Sequence, residues 1–452
     1  MTDRGAFSST IGFILAGAGS AIGLGAIWRF PYMTGQNGGA VFVLVFLACC
    51  FLIGVPVMIA EITLGRHTQR NPVGTFNLLH GGPVWKAVGA LCVLSGFMIF
   101  SWYSVIAGWV VGYLWEAVRG TFNTVQSPEH VGEFFAAYVS HAPTVLFLHF
   151  VIIAATAAIV LRGVKQGIEA LSKWLMPVLF VLLILLAIRA VTLPGAGAGL
   201  EFYLKPDFSK FSAQMLLAAM GQALFSLSIG MGTMLTYGSY LSKKENIPVA
   251  AAWITFFEIL ISLIAGFAIL PAVSAMGRSF TDGPRLIFVV LPSIFAMMPG
   301  GYLFGVGFYV LVIIAVLTST VSILEVPVAY LVDERGWSRK TATLLVSGVS
   351  FALGIPAGLS FGASNFFSRL PGLHTDFFTL VSTAFGDISL AVGCLFIAIF
   401  LGWVWGVPKA LAEMEASGTR FRLAPLWSFL IRYVAPISIV IVFTNVILAL
   451  LR

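Results

Sequence analysis

The chain of 452 residues is 59% hydrophobic and 10% charged, with a mean hydropathy of +1.00. A soluble protein carries about 25% charged residues, so a soluble enzyme is a poor starting assumption, and the length leaves room for roughly eleven apolar spans of about 20 residues. The net charge of +7 is no nucleic-acid footprint, because sixteen of the 25 Lys and Arg residues fall on one side of an N-inside topology.

In chain order, apolar spans are predicted at about 8–35, 39–65, 87–118, 143–161, 168–189, 211–240, 248–275, 301–332, 341–358, 377–407 and 430–451. The first is too long and glycine-rich for a cleavable signal. Its core, AGAGSAIGLGAIWRFPY (16–32), carries four glycines and Arg29. Each glycine costs a helix up to about 1 kcal/mol relative to alanine, so this span reads as one helix broken in the middle. The sixth span is interrupted alike at GQALFSLSIGMG (221–232). Two broken helices at corresponding places in two halves point to a transporter site at the bilayer midplane, because bare backbone at that depth survives only where it lines a cavity or is buried in protein.

The expected fold is therefore an all-α polytopic membrane protein of eleven transmembrane helices. It divides into a first inverted repeat (1–190), a second (191–408), and a final loop with span 11 (409–452). The outer segment Thr281–Pro299, with its GP and LP breaks, reads as a re-entrant lid or hairpin. The positive-inside rule puts the N-terminus in the cytoplasm and the C-terminus outside, in a bacterial inner membrane. The four cysteines lie in apolar runs without disulfide or metal spacing. No nucleophile–base pair or phosphate loop is apparent, and the histidines are scattered, so the chain is not expected to be an enzyme.

The motifs GLGAIWRFPY (23–32), QNGGAVF (36–42), GVPVMIAEITLGR (54–66), LRGVKQGIE (161–169), GQALFSLSIGMGTMLTYGSY (221–240) and LTSTVSILEVPVAYLVDE (317–334) resemble those of the bacterial neurotransmitter:sodium symporters. The resemblance covers nearly the whole chain. It implies a five-plus-five inverted repeat, alternating access, and one well-preserved sodium site, the second of the family. Its ligands would be the carbonyls of Gly19, Ile22 and Ala315 and the hydroxyls of Thr318 and Ser319. Read without the resemblance, Thr318 and Ser319 could equally bond carbonyls of their own helix.

The first sodium site of the family is not matched. The resemblance places Ala26 and Phe257 where the family has asparagines, leaving Ser226 as a hydroxyl, and too few oxygens remain to offset the dehydration of Na+. The expectation is that the Phe257 ring partly fills that site. Phe46 and Ile261 stand at polar positions of the chloride site, so no chloride is expected. The substrate pocket carried over by position comprises Ala21, Gly23, Leu24, Gly25, Ile99, Tyr103, Phe225, Ser226, Ser228, Met231, Phe257, Ser319, Ser322 and Ile323. Backbone N–H groups near Leu24 and Gly25, with the Tyr103 hydroxyl, would hold a carboxylate. Arg29–Asp376 and Arg4–Asp333 would form outer and inner gates. Among the intramembrane acids, Glu61 is expected to be structural, bonded to unwound backbone, and Glu258 is a candidate proton site.

The implied function is Na+-coupled symport of a hydrophobic or aromatic amino acid, using one sodium and no chloride. The implied partners are a small-molecule substrate and membrane lipid, with no nucleic acid, and the expected state is a monomer or weak dimer. Two alternatives stay open. One is transport of a carboxylate-free aromatic solute or an amine with altered or proton-linked coupling. The other is a sensor or channel that has lost transport.

Overall fold

A computed structural model describes residues 5–124, 128–277 and 286–450, and among them it is helical with no strands. Among the described residues, nine uninterrupted helices are long and apolar enough to cross a membrane. They are span 2 (Ala40–Thr68), span 3 (Pro83–Val118), span 4 (Ala142–Leu161), span 5 (Val164–Val191), span 7 (Ile247–Ala275), span 8 (Gly301–Arg335), span 9 (Arg339–Leu359), span 10 (Phe377–Glu415) and span 11 (Ala424–Ile441). Span 1 is the pair Thr10–Ala21 and Gly25–Gln36, bent by 52°. Span 6 is the pair Ala213–Ser226 and Thr233–Gly238. Counting span 1 as one bent span gives ten candidate spans among the described residues, and the two halves of span 6, each too short to cross a membrane alone, stand where the remaining expected span was read.

Short polar side chains start the helices, as free N-terminal amides require. Ser9 accepts from the Gly12 amide, Ser212 from Met215, Asn246 from Val249 and Ser338 from Thr341, all between 3.0 and 3.1 Å. Glycine sets how closely the spans approach. A Cβ at Gly65 would lie 1.9 Å from the Leu235 carbonyl oxygen, and one at Gly238 would lie 2.6 Å from that of Ile62, so spans 2 and 6 cross in near-backbone contact.

The two broken helices are the hub of this packing. Gln222 Nε2 donates to the Gly25 carbonyl at 2.9 Å, joining span 6 to the break in span 1. Glu61 accepts from the amides of Gly230 (2.6 Å) and Leu235 (3.2 Å), so a fully buried carboxylate satisfies the backbone that the break in span 6 leaves open. This is the structural role expected for Glu61. Of the expected hairpin, residues 281–285 lie outside the described residues. Its remainder, Leu286–Met297, is largely buried, with Phe288 edge-on to Trp28, Trp109 and Tyr113.

Candidate functional site: the cavity between the two helix breaks

The break in span 1 turns the chain between Ala21 and Gly25, and a cavity opens against it. Ser20, Ala21, Gly23, Leu24 and Gly25 form one wall, Ile99 and Tyr103 of span 3 a second, Phe225, Ser228 and Met231 of span 6 a third, and Ser319 and Ile323 of span 8 a fourth. Leu390 of span 10 completes it. The cavity is small, about 30 Å³, room for a water or two, so a solute enters only as side chains such as Phe225 and Met231 part.

Eleven of the fourteen expected pocket residues line this cavity, and three do not. Ser322 lies one layer behind, where its hydroxyl meets that of Ser20 at 2.7 Å and donates to the Ser319 carbonyl at 2.8 Å. Ser226 points away and donates to Glu258. Phe257 is only half-buried and packs with the exposed Trp253 and Phe256, ring centroids 5.7 Å from each. The expectation that Phe257 fills a lost sodium site is therefore corrected. One residue is a 100° rotation on a helix, and the inward place belongs to Glu258. For the same reason Ser262, not Ile261, meets this cluster, donating to Glu258 Oε1 at 2.8 Å. Sequence reasoning missed two lining residues, Ser20 and Leu390. Leu390 carries no mark of its own in the apolar run of span 10, whereas Ser20 is the polar residue directly before the break in span 1.

Polar groups in the cavity are few and convergent. The Leu24 amide donates to the Tyr103 hydroxyl at 3.1 Å, which leaves the phenolic proton to reach a bound acceptor. Gly23 has no room for a side chain: a Cβ there would lie 2.5 Å from Ser319 Oγ and 2.8 Å from Tyr103 Oη. Ser228 adopts a left-handed backbone (φ 52°) and donates to the Ser20 carbonyl at 2.9 Å.

Beside the cavity lie the oxygens expected to hold sodium. Ser319 Oγ is 3.4 Å from the Gly19 carbonyl and 3.1 Å from that of Ser20. Thr318 Oγ1 donates within its own helix, to the Ile314 carbonyl at 3.1 Å and the Ala315 carbonyl at 3.0 Å, which is the alternative left open for it, whereas Ser319 reaches across to span 1. A Cβ at Gly19 would lie 3.1 Å from Thr318 Cβ, so spans 1 and 8 are in contact there. Ile22, the last member, ends the first half-helix, its amide bonded to the Ala18 carbonyl at 2.7 Å. The set is all oxygen and uncharged, suited to a hard monovalent cation, and the two hydroxyls that now donate to carbonyls can rotate to present lone pairs.

The gates differ from expectation. Arg29 pairs with Asp387, not Asp376, at 3.3 Å, and its guanidinium lies 4.7 Å from the Phe225 ring centroid, directly above the cavity. Asp376 instead starts span 10, accepting from the Thr379 amide (2.8 Å) and hydroxyl (2.7 Å). Arg4 lies outside the described residues. Asp333 accepts from the Asn71 amide (2.9 Å) and side chain (3.2 Å). Nearby, the fully buried Glu325 accepts from Tyr240 at 2.7 Å and Arg339 at 3.1 Å.

Glu258 is the outlying feature. It is fully buried in span 7, with Oε1 bonded to Ser226 and Ser262. Among the described residues its Oε2 has no partner, nor does Oε1 of the buried Gln222, one turn before Ser226.

Comparison with known proteins places this architecture. Residues 4–131 and 139–451 match the sodium:neurotransmitter symporter family. The sodium-dependent transporter YhdH of Bacillus subtilis is 37% identical over 98% of this chain and 97% of its own length. A sodium-dependent transporter of Haemophilus influenzae is 34% identical over 98% of each. The crystal structure of MhsT in complex with L-phenylalanine superposes with a TM-score of 0.90 at 44% identity, covering 98% of this chain and all of that one. With its two broken helices and the oxygen cluster between spans 1 and 8, the chain belongs to the sodium:neurotransmitter symporter family of multi-pass membrane transporters.

Proposed function

We propose that this protein is a Na+-coupled symporter of a hydrophobic or aromatic amino acid, working by alternating access in a bacterial inner membrane. The observation that carries the reading is the adjacency of the two sites: Ser319 lines the cavity and also reaches the Gly19 carbonyl, so cation and solute would share a wall. The cavity lining of Ile99, Phe225, Met231, Ile323 and Leu390 favours an apolar side chain. The Leu24 amide and Tyr103 hydroxyl favour a carboxylate. L-Phenylalanine, the ligand in the MhsT structure, is the first candidate.

The same reading assigns one sodium, held by Gly19, Ile22, Ala315, Thr318 and Ser319, and no chloride, because an anion near Ser226 would face the Glu258 carboxylate. Residues 1–190 and 191–408 would form the two inverted repeats, and 409–452 the final loop and span, with the N-terminus cytoplasmic, the C-terminus outside and the chain a monomer or weak dimer. Thermal unfolding of purified protein with phenylalanine, indole or an aromatic amine, each in NaCl and in choline chloride, tests it. Stabilisation by phenylalanine that requires sodium is expected. Stabilisation by indole alone, or indifference to sodium, overturns it.

One observation favours a second reading, in which a proton accompanies or replaces sodium. Glu258 is buried and bonded to Ser226, the residue after the cavity-lining Phe225, with no cation beside it among the described residues and one oxygen unbonded. Ionisable groups placed so within a membrane are expensive and mark ion or proton pathways.

A further inference from the structure

Spans 3, 8 and 9 pack against one another, with a Cβ at Gly96 of span 3 only 3.5 Å from Val326 of span 8, but on the lipid-facing side one end of their seam stays open. A groove of about 310 Å³ runs between them, floored by Val93, Phe97 and Pro327 and walled by Leu94, Leu345 and Val349. Pro327 of the groove lies inside span 8, where it has no amide to donate to the Ile323 carbonyl. Ile323, one turn before Pro327 on the same face of span 8, lines the cavity, so cavity and groove follow one another along one helix face. Leu94, Leu345 and Val349 are each more than two-fifths exposed.

One end of the groove is basic. Val73, at that end, follows Arg70 by three residues, Ala90 follows Lys86 by one turn, Leu331 precedes Arg335 by one turn, and Leu345 follows Lys340 by five residues. All four cations are exposed. The nearby carboxylates are already engaged: Asp333 and Glu334 both accept from Asn71, and Glu334 also lies 3.7 Å from Arg70. An apolar slot that ends in an excess of positive charge has the form of an anionic lipid site, where a chain fills the slot and a phosphate meets the cations.

We infer that this groove binds an anionic diacyl phospholipid, with one acyl chain against Pro327 and Phe97 and the headgroup at Lys86, Arg335 and Lys340. Charge complementarity selects this occupant over a zwitterionic lipid or a second copy of the chain, neither of which would need the cations. The inference depends on the membrane reading and not on the identity of the transported solute.

The test is native mass spectrometry and thermal unfolding of the full chain in detergent, titrated with phosphatidylglycerol or with phosphatidylcholine of the same acyl composition. Phosphatidylglycerol is expected to be retained and to stabilise at concentrations at least about tenfold lower than phosphatidylcholine. The surface triple variant Lys86→Gln, Arg335→Gln, Lys340→Gln should remove that preference, and Leu94→Trp, which fills the slot, should weaken binding of both lipids. Equal affinity for the two lipids in the wild-type protein overturns the inference. So does retention unchanged in both variants, or a change of oligomeric state on Leu94→Trp, which would assign the groove to a second copy. The triple variant alters only exposed side chains, so the test survives a failure of Leu94→Trp to fold.

Discussion

Ser228 donates its hydroxyl to the Ser20 carbonyl at 2.9 Å, tying the break in span 6 to the break in span 1 from a left-handed backbone that serine rarely adopts. Both residues line the cavity. The bond therefore holds two walls at a fixed spacing, and losing it leaves the Ser20 carbonyl to the Ser319 hydroxyl alone, at a cost of about 0.5–1.5 kcal/mol. Two substitutions separate this bond from the backbone requirement. Ser228→Gly loses the bond but suits the left-handed conformation, whereas Ser228→Ala loses the bond and keeps the strain. Both should weaken solute binding by up to about tenfold, and the alanine variant should be the less stable by up to about 1 kcal/mol. Binding isotherms and thermal unfolding of the pair read both effects. Equal stability would mean that the conformation at 228 is not required.

The outer gate makes a prediction about two aspartates eleven residues apart. Asp387 faces Arg29, whereas Asp376 caps a helix start. Asp387→Asn should lower uptake about tenfold, because Arg29 then lacks its charge partner above Phe225, and an unpaired cation within a span costs at least about 2.5 kcal/mol. Asp376→Asn keeps a capping side chain and should change stability by less than about 1 kcal/mol with uptake preserved. The reverse ranking in a transport assay would restore Asp376 to the gate.

The contrast between these aspartates shows what could be read from the sequence. The glycines and Pro31 of span 1 pin its register, and the four expected pocket residues read from it, Ala21, Gly23, Leu24 and Gly25, all line the cavity. Span 7 has no glycine or proline landmark at its centre, but Thr255, Glu258 and Ser262 of TFFEILISLIAG recur at three- and four-residue spacing on one buried face, a signal that went unused. The slip of one residue turned Phe257 inward on paper and hid that Glu258 is the residue facing Ser226. Asp376 carried a legible signal that went unused. An aspartate followed three residues later by threonine at the start of an apolar run is a helix cap. The groove beside span 8 was not legible, because it depends on how the side chains of three separate helices meet along their lipid-facing seam.

Glu258 offers a test of the second functional reading. Glu258→Gln keeps the shape of the side chain and can still bond Ser226 and Ser262, but cannot gain or lose a proton. If Glu258 carries a proton in transport, uptake by the wild-type protein varies with pH and uptake by Glu258→Gln becomes flat across the same range. Thermal unfolding of the variant checks that it remains folded. A pH profile identical in the two proteins removes the proton from the mechanism and leaves Glu258 as a fixed charge that disfavours chloride.

The number of sodium ions sets the gradient the transporter can sustain. One Na+ moving down a ~tenfold gradient releases about 1.4 kcal/mol, and a membrane potential of ~100 mV adds about 2.3 kcal/mol. That total supports roughly 500-fold accumulation of a neutral solute. A second ion would square the ratio, so the two stoichiometries are far apart. With the oxygens at Gly19, Ala315, Thr318 and Ser319 as the one sodium site, uptake should rise with sodium concentration with a Hill coefficient near 1. Accumulation in proteoliposomes of known gradient and potential should stop near the one-ion limit. Ser319→Ala removes a hydroxyl that touches both cavity and cation site, and Thr318→Ala removes one that touches the cation site alone. Sodium dependence should fall in both, while solute affinity at saturating sodium should fall only in Ser319→Ala. A Hill coefficient near 2 that survives Thr318→Ala would place a further sodium elsewhere, and the cluster of Glu258, Ser226 and Gln222 is where its oxygens would be sought first.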